Sequence, residues 1–427
     1  MTSDRRAGLE LAASLRGDRS VAALSAALHA SDALPPGALE RIPGGSLATP
    51  EAVERRWRRI ANHRPHLAQA VRDELLDPRT AGRLAAYERN IEQLIGCVSL
   101  PLGLAGPLLV NGLHAQGAYL VPLATTEAAL VASYSRGARL ISEAGGCSAL
   151  LLAEGVSRSP GFVFADLAAV GRFVLWVLEQ QEAFVAAAGA TTHHGRLEAT
   201  RLSVEGNHVI LLFDFSTGDA AGQNMVTIAT RAICEFILRN SPEQPLHWFL
   251  EVNLSGDKKA STQSFTTVRG RKVTAEVLLP AELVRRRLHT TPERMVEYWR
   301  FGALGGVMSG TIGVQGHVAN GLAALFIACG QDAACVAEAA VGVTRMELQD
   351  GDLYAAVTLP NLIVGTVGGG TGLPAQRACL ELLGLAGAGC ARAFAEVCAA
   401  LALAGELSIT GALCADQFAQ AHQKLAR

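Results

Sequence analysis

Apolar residues recur at helical spacing from Glu127 to Ala144, after Thr125-Thr126 and before Gly145-Gly146. Those flanks supply capping hydroxyls and a glycine stop, so the pattern predicts a helix. Two β-rich runs flank Glu205-Gly206-Asn207 between Arg201 and Phe215 and predict a hairpin. Lys272–Leu279 and Leu353–Leu359 read as further strands, and the Ala/Leu-rich run from Ala391 to Lys424 reads as helices. Residues 1 to about 85 alternate Ala/Leu with Arg/Glu around Leu34-Pro-Pro-Gly and Ile42-Pro-Gly-Gly, which predicts short helices and connectors in an accessory region. The fold class is therefore α+β in more than one unit.

Composition narrows the function. The 427 residues suffice for two or three packed units. A net charge of -2 with 18 % charged residues leaves no basic excess for nucleic acid or anionic lipid. Nine scattered cysteines contain no Cys-x-x-Cys pair, which argues against a disulfide framework or a zinc site and fits a reducing cytoplasm. The N-terminus has no apolar core long enough for a signal peptide. Phe301 to Gln331 carries no charge apart from a possible one on His317, but its eight glycines and polar dots favour a buried helix-loop-helix lining a site over a membrane span.

Three short stretches carry candidate chemistry. Asp257-Lys258-Lys259 places an acid beside two compact cations, suited to an anion cradle or to polarising a carbonyl oxygen, or else to a solvated turn. Thr217-Gly-Asp-Ala-Ala-Gly-Gln-Asn-Met follows a strand and opens a helix, as a phosphate loop would, yet it lacks the G-x-G-x-x-G spacing. Gly365-Thr-Val-Gly-Gly-Gly-Thr-Gly also follows a strand, and five glycines in eight residues point to a close ligand or backbone approach. No Gly-Lys-Ser/Thr follows, so it is not a Walker A loop. Glu127 is a lone acid on an apolar helix, where a raised pKa and proton donation are open to it as well as a plain helix-end role. Asp332 could be a helix-end charge or a lysine's partner, and His422 near the end reads by itself as a surface group.

The order of these pieces resembles the 3-hydroxy-3-methylglutaryl-coenzyme A (HMG-CoA) reductase family from about Glu88 onward. The matching motifs are Glu92-Gln-Leu-Ile-Gly, Pro101-Leu-Gly-Leu-Ala-Gly-Pro-Leu, Ala124-Thr-Thr-Glu-Ala-Ala-Leu-Val-Ala-Ser, Gly218-Asp-Ala-Ala-Gly-Gln-Asn-Met, Asp257-Lys-Lys, Gly330-Gln-Asp, Gly365-Thr-Val-Gly-Gly-Gly-Thr and Ala404-Gly-Glu-Leu-Ser. The resemblance implies four-electron reduction of HMG-CoA to mevalonate and free CoA with two NADPH, in preference to NADH. It implies catalytic roles for Glu127, Lys258, Asp332 and His422. It places substrate on Glu92, Arg158, Asn253, Asp257, Lys259 and Arg300, and cofactor on Asp219, Ala221, Gly222, Gln223, Asn224, Met225, Val367, Gly368 and Gly369, with no metal.

The residue pattern gives a helical N-terminal region (1–85) outside the resemblance, and the resemblance implies a large CoA/HMG-binding domain (86–159 and 251–400). It adds an inserted ferredoxin-like cofactor domain (160–250), a C-terminal segment carrying the histidine (401–427), and a cytoplasmic homodimer or larger assembly with its site at the interface. Arg196, Arg201 or Arg231 would supply a cation for the cofactor's 2'-phosphate.

Some positions depart from the family pattern. Gln93 stands for asparagine, Ala221 and Gln223 for methionines, Ala260-Ser261 for Pro-Ala, Arg300 for lysine, and Gln315-Gly316 for Phe/Tyr-Asn. They leave open a diverged paralogue acting on a related acyl-CoA, or a non-catalytic CoA-binding module. A lysine of depressed pKa would also serve a Schiff-base lyase, which has no need of two glycine-rich loops.

Overall fold

The computed structural model describes Ala23, residues 41–67 and residues 69–416. The chain divides into two compact units, residues 1–96 and 97–427. In the first, α1 (Pro50–His63) starts where Thr49 accepts the Ala52 N–H and Pro50 occupies the first turn, whose missing N–H needs no partner. Two shorter helices, α2 (Gln69–Leu75) and α3 (Pro78–Ala81), follow. The core is Ala48, Val53, Trp57, Leu84 and Leu94. Arg56 is buried among these apolar groups and donates to the carbonyls of Pro43, Gly45, Leu47 and Leu94, which is how its charge is accommodated. Burial holds its pKa below the ordinary arginine value. Glu92 is exposed and belongs to this unit.

Among the described residues the second unit holds ten strands: β1 (Leu102–Gly112), β2 (Gln116–Ala124), β3 (Cys147–Arg158), β4 (Gly161–Val163), β5 (Arg196–Glu205), β6 (His208–Ser216), β7 (His247–Phe249), β8 (Gly270–Leu279), β9 (Val343–Gln349) and β10 (Asp352–Leu362). One sheet runs β2-β1-β3-β8-β10-β9. The strand β3 then leaves it. Ser148–Gly155 pair with β8, whereas Val156–Arg158 pair with Phe213–Phe215 of β6. Around β6 the order is β7-β4-β6-β5, and the chain order is strand, helices, hairpin, helix, strand, the ferredoxin-like arrangement. The hairpin turns at Gly206, with φ 55°. Its helices are α5 (Leu167–Leu178), α6 (Gln181–Gly189) and α7 (Gln223–Asn240). Phe162, Phe164, Phe173, Trp176, Phe184, Phe213 and Phe236 stack between sheet and helices.

The remaining long helices are α4 (Leu130–Glu143), α8 (Ala281–Leu288), α9 (Pro292–Ser309), α10 (Val318–Ala328) and, past the short α11 (Val336–Ala339) and α12 (Pro374–Leu382), α13 (Ala391–Cys414). By length and apolarity α13 could cross a membrane, but almost all of it is buried, as befits a core helix. It packs on α4 and on strands β1, β3, β8 and β10. At the crossing a Cβ on Gly137 would stand 1.8 Å from the Ala404 carbonyl, so only glycine permits this approach. Two buried glutamates interrupt the apolar helix. Glu396 accepts the N–H groups of His114, Ala115 and Leu151, and Glu406 those of Gly316 and His317 together with the Thr344 hydroxyl.

The uncharged stretch 301–331 is only half buried. α10 is internal as expected, but Phe301, Leu304, Val307 and Met308 on α9 stand 56 to 80 % exposed. Gly302 and Gly305 are exposed as well, with nothing within 4 Å of where a Cβ would stand, so this face of α9 has no covering element among the described residues.

Candidate active site

Lys258 lies on the loop after β7, where Asn253 and Lys258 itself take left-handed backbone conformations with φ 67° and 56°. The Lys258 Nζ sits 2.7 Å from Asp332 Oδ2. Asp332 also accepts the Ala334 N–H, which fixes its carboxylate at the start of a 3-10 turn. Hydrogen bonding to Asp332 holds the Lys258 ammonium above the ordinary lysine range, against the opposing effect of partial burial. Both side chains remain over two-fifths exposed, so the pair adds little stability. Its effect is to keep a charged, oriented ammonium at an open surface.

Asp257 is committed inward. It accepts from Arg158 at 2.5 Å and pairs with the buried Arg269. Burial pushes its carboxyl up, but the charges of Arg269 and Arg158 outweigh this and hold it below the usual carboxylate range. Arg269 also pairs with the buried Glu338 at 2.7 Å, and Glu338 accepts the Lys258 N–H at 3.1 Å. Burial raises the Glu338 pKa despite Arg269. Glu251 orders the base of the loop by accepting from Ser159, Asn253 and Ser255. Lys259 is exposed and donates to the Asp257 carbonyl.

Glu127 lies in the turn before α4 rather than on the helix, which starts at Leu130 because Ala129 adopts φ 68°. Its N–H donates to Thr125 Oγ1, and both its oxygens accept from Asn320 of α10, at 2.9 and 3.1 Å. Three residues before Asn320, His317 stacks on Tyr134, and the Tyr134 hydroxyl joins the His317 carbonyl to the Gly321 N–H. Burial lowers the His317 pKa. Arg300 stays apart. It is exposed on α9, pairs with Glu297 at 3.4 Å, and bonds to no member of the Lys258 network among the described residues.

The two glycine-rich loops meet. Ala220 bridges to Val367, Thr366 donates to the Asp219 carbonyl at 2.9 Å, and a Cβ on Gly365 would stand 2.5 Å from the Ala221 nitrogen. Gln331 clamps Gly365 from the other side through both amide groups. Gly222, at φ 78°, starts α7 with no side-chain cap, leaving the N–H groups of Gln223, Asn224 and Met225 for a ligand. Gly368 and Gly369 are also left-handed, at φ 73° and 53°. The Asp219 carboxylate itself is occupied, accepting from Gly389 and Ala391 at the head of α13. Among the three candidate cations, Arg201 is bidentate to Asp214 and Arg231 pairs with Glu235, whereas Arg196 makes no ion pair among the described residues.

Sequence reasoning missed Asn320, Arg269 and Glu338, whose local settings carry no motif. It also missed a cavity of about 360 Å³ along α4, lined by Ser135, Arg136, Arg139, Glu143 and Arg287. Its cations suit an anionic ligand. His422 lies outside the described residues.

Residues 52–427 match the family profile of hydroxymethylglutaryl-coenzyme A reductase. The chain is 42 % identical over 344 residues to the 3-hydroxy-3-methylglutaryl-coenzyme A reductase of Methanothermobacter thermautotrophicus, covering 80 % of this chain and 86 % of that one. It is 38 % identical over 412 residues to the Pyrococcus horikoshii protein of the same name, covering 90 and 100 %. Among solved structures, the class II reductase of Streptococcus pneumoniae bound to NADPH aligns with a TM-score of 0.62 at 21 % identity, over 83 % of this chain and 99 % of that one. The chain belongs to the hydroxymethylglutaryl-coenzyme A reductase family.

Proposed function

We propose that this protein reduces HMG-CoA to mevalonate, releasing CoA and consuming two NADPH, and so serves isoprenoid synthesis by the mevalonate route. The Lys258–Asp332 pair carries the reading, because each of the two reductions turns a carbonyl oxygen into an oxyanion that a fixed ammonium stabilises. The cofactor, when bound, supplies the hydrides. The joined glycine loops fit it: Gly222 and Gly365 let the chain close on Thr217 and Ala221 where a side chain would clash, and the uncapped α7 start offers N–H groups to a phosphate.

In the first reduction the thioester carbon gains hydride and its oxygen rests on Lys258. The carbonyl re-forms as the C–S bond breaks, and His422 protonates the departing thiolate. In the second, the aldehyde carbon gains hydride and Glu127, oriented by Asn320, delivers the proton that makes the alcohol. Arg158, Asn253 and Lys259 would hold the acyl carboxylate and hydroxyl, and the arginine-lined cavity along α4 suits the phosphates of CoA.

We further propose the division into a large domain and an inserted cofactor domain over 160–250, a cytoplasmic setting, and a homodimer or larger assembly with its site at the interface. NADPH oxidation on addition of HMG-CoA, with wild type beside Lys258→Ala, tests the activity. A folded wild type that binds NADPH and never oxidises it with HMG-CoA would sink the reading.

A further inference from the structure

Arg269 is 1 % exposed and uses four donor contacts on four different segments. Nε reaches Glu338, Nη1 the Ser157 carbonyl at 2.8 Å, and Nη2 both Asp257 and Gln223 Oε1, the latter at 3.0 Å. Those partners are not incidental to the site. Glu338 holds the backbone N–H of Lys258, a residue kept in a left-handed conformation that a lysine does not adopt without support. Asp257 precedes Lys258 and also binds Arg158. Gln223 is the first residue of α7, at the meeting point of the glycine loops, and its amide nitrogen donates to Cys335 in the turn that begins at Asp332. One guanidinium therefore ties the lysine loop, the substrate arginine's strand, the α7 start and the Asp332 turn.

We infer that Arg269 is a positioning residue of the reduction, setting Lys258 against the α7 start by bridging Glu338, Asp257 and Gln223. The inference rests on the activity proposed above. Arg269 is buried with its guanidinium engaged by protein groups, so its removal acts on the placement of Lys258 and on kcat rather than on affinity. A planar fork is required: lysine keeps the charge but presents a single nitrogen, which cannot span four partners.

Steady-state rates with HMG-CoA and NADPH, per NADPH-binding site, would be compared for wild type, Arg269→Met and Arg269→Lys. Both variants are expected to lose at least about 30-fold in kcat, with KM for NADPH within about threefold, and lysine is expected to give no rescue. A folded variant with wild-type kcat, or full rescue by lysine, overturns the inference. If the Arg269 variants do not fold, Glu338→Gln decides, since it keeps the side chain's shape and an acceptor for the Lys258 N–H but removes the carboxylate that Arg269 pairs with. A tenfold fall in kcat supports the bridge, and an unchanged kcat refutes it. If wild type itself is inactive, the activity fails and the bridge is read separately, from the rate at which an amine-directed acylating reagent modifies Lys258 as mapped by peptide mass spectrometry. Faster labelling in Glu338→Gln supports it, and an equal rate refutes it.

Discussion

The backbone N–H of Thr366 donates to the carbonyl of Asp219 at 2.9 Å, so two glycine-rich loops far apart in sequence form one cleft. Gly365 stands at the seam, where a methyl group would meet the Ala221 nitrogen at 2.5 Å. Gly365→Ala is expected to prise the loops apart and raise KM for NADPH on the order of tenfold or more. Titration of NADPH fluorescence checks this, and unchanged affinity would contradict the cleft.

Removing the ammonium at the reacting oxygen is expected to cost far more than removing a surface charge. Lys258→Ala should lower kcat by about 10²- to 10³-fold, as loss of one oxyanion donor does. Asp332→Asn should leave the lysine charged but unanchored, with a smaller loss. Thermal melting should barely move in either, because the pair is well exposed.

Asp257 should matter to stability as well as to rate. Asp257→Asn takes one carboxylate from Arg158 and Arg269, which keep Glu251 and Glu338, and is expected to destabilise by about 1 to 3 kcal/mol. The folded carboxyl lies below its usual range. Its contribution is therefore complete above the unfolded carboxyl value of about 4 and is lost as pH falls through the lower folded value. The gap in Tm between wild type and Asp257→Asn should be widest near neutrality and shrink toward pH 3.

Cofactor choice is expected to turn on Arg196, the one of the three candidate cations with no carboxylate partner among the described residues. Arg196→Ala should raise KM for NADPH about tenfold and leave NADH rates nearly unchanged. Equal effects on both cofactors would move the 2'-phosphate site elsewhere.

Much of this architecture was legible in the chain. The hairpin at Gly206, the strands from 272 and 353, and both strand-to-glycine turns announce themselves through local periodicity and turn chemistry. Lys258 and Asp332 are legible as motifs. What escaped is long-range. Arg269 sits in Val-Arg-Gly-Arg-Lys and reads as a charge run, Glu338 hides in an alanine-rich segment, and Asn320 is one polar residue in an apolar helix. Each gains its role only from a partner at least 12 residues away. The exposed face of α9 was misjudged for the opposite reason, since an uncharged stretch reads as interior when nothing local reveals which side is covered.

Arg158 ends the strand that begins in one sheet and finishes in the other. Side chains alternate sides along a strand, so a one-residue insertion or deletion between Ser148 and Gly155 would turn the guanidinium to the opposite face unless a bulge absorbed it. The strand's residue count thus acts as a spacer whose parity selects the side on which this cation is presented, a constraint on length that composition alone would never reveal.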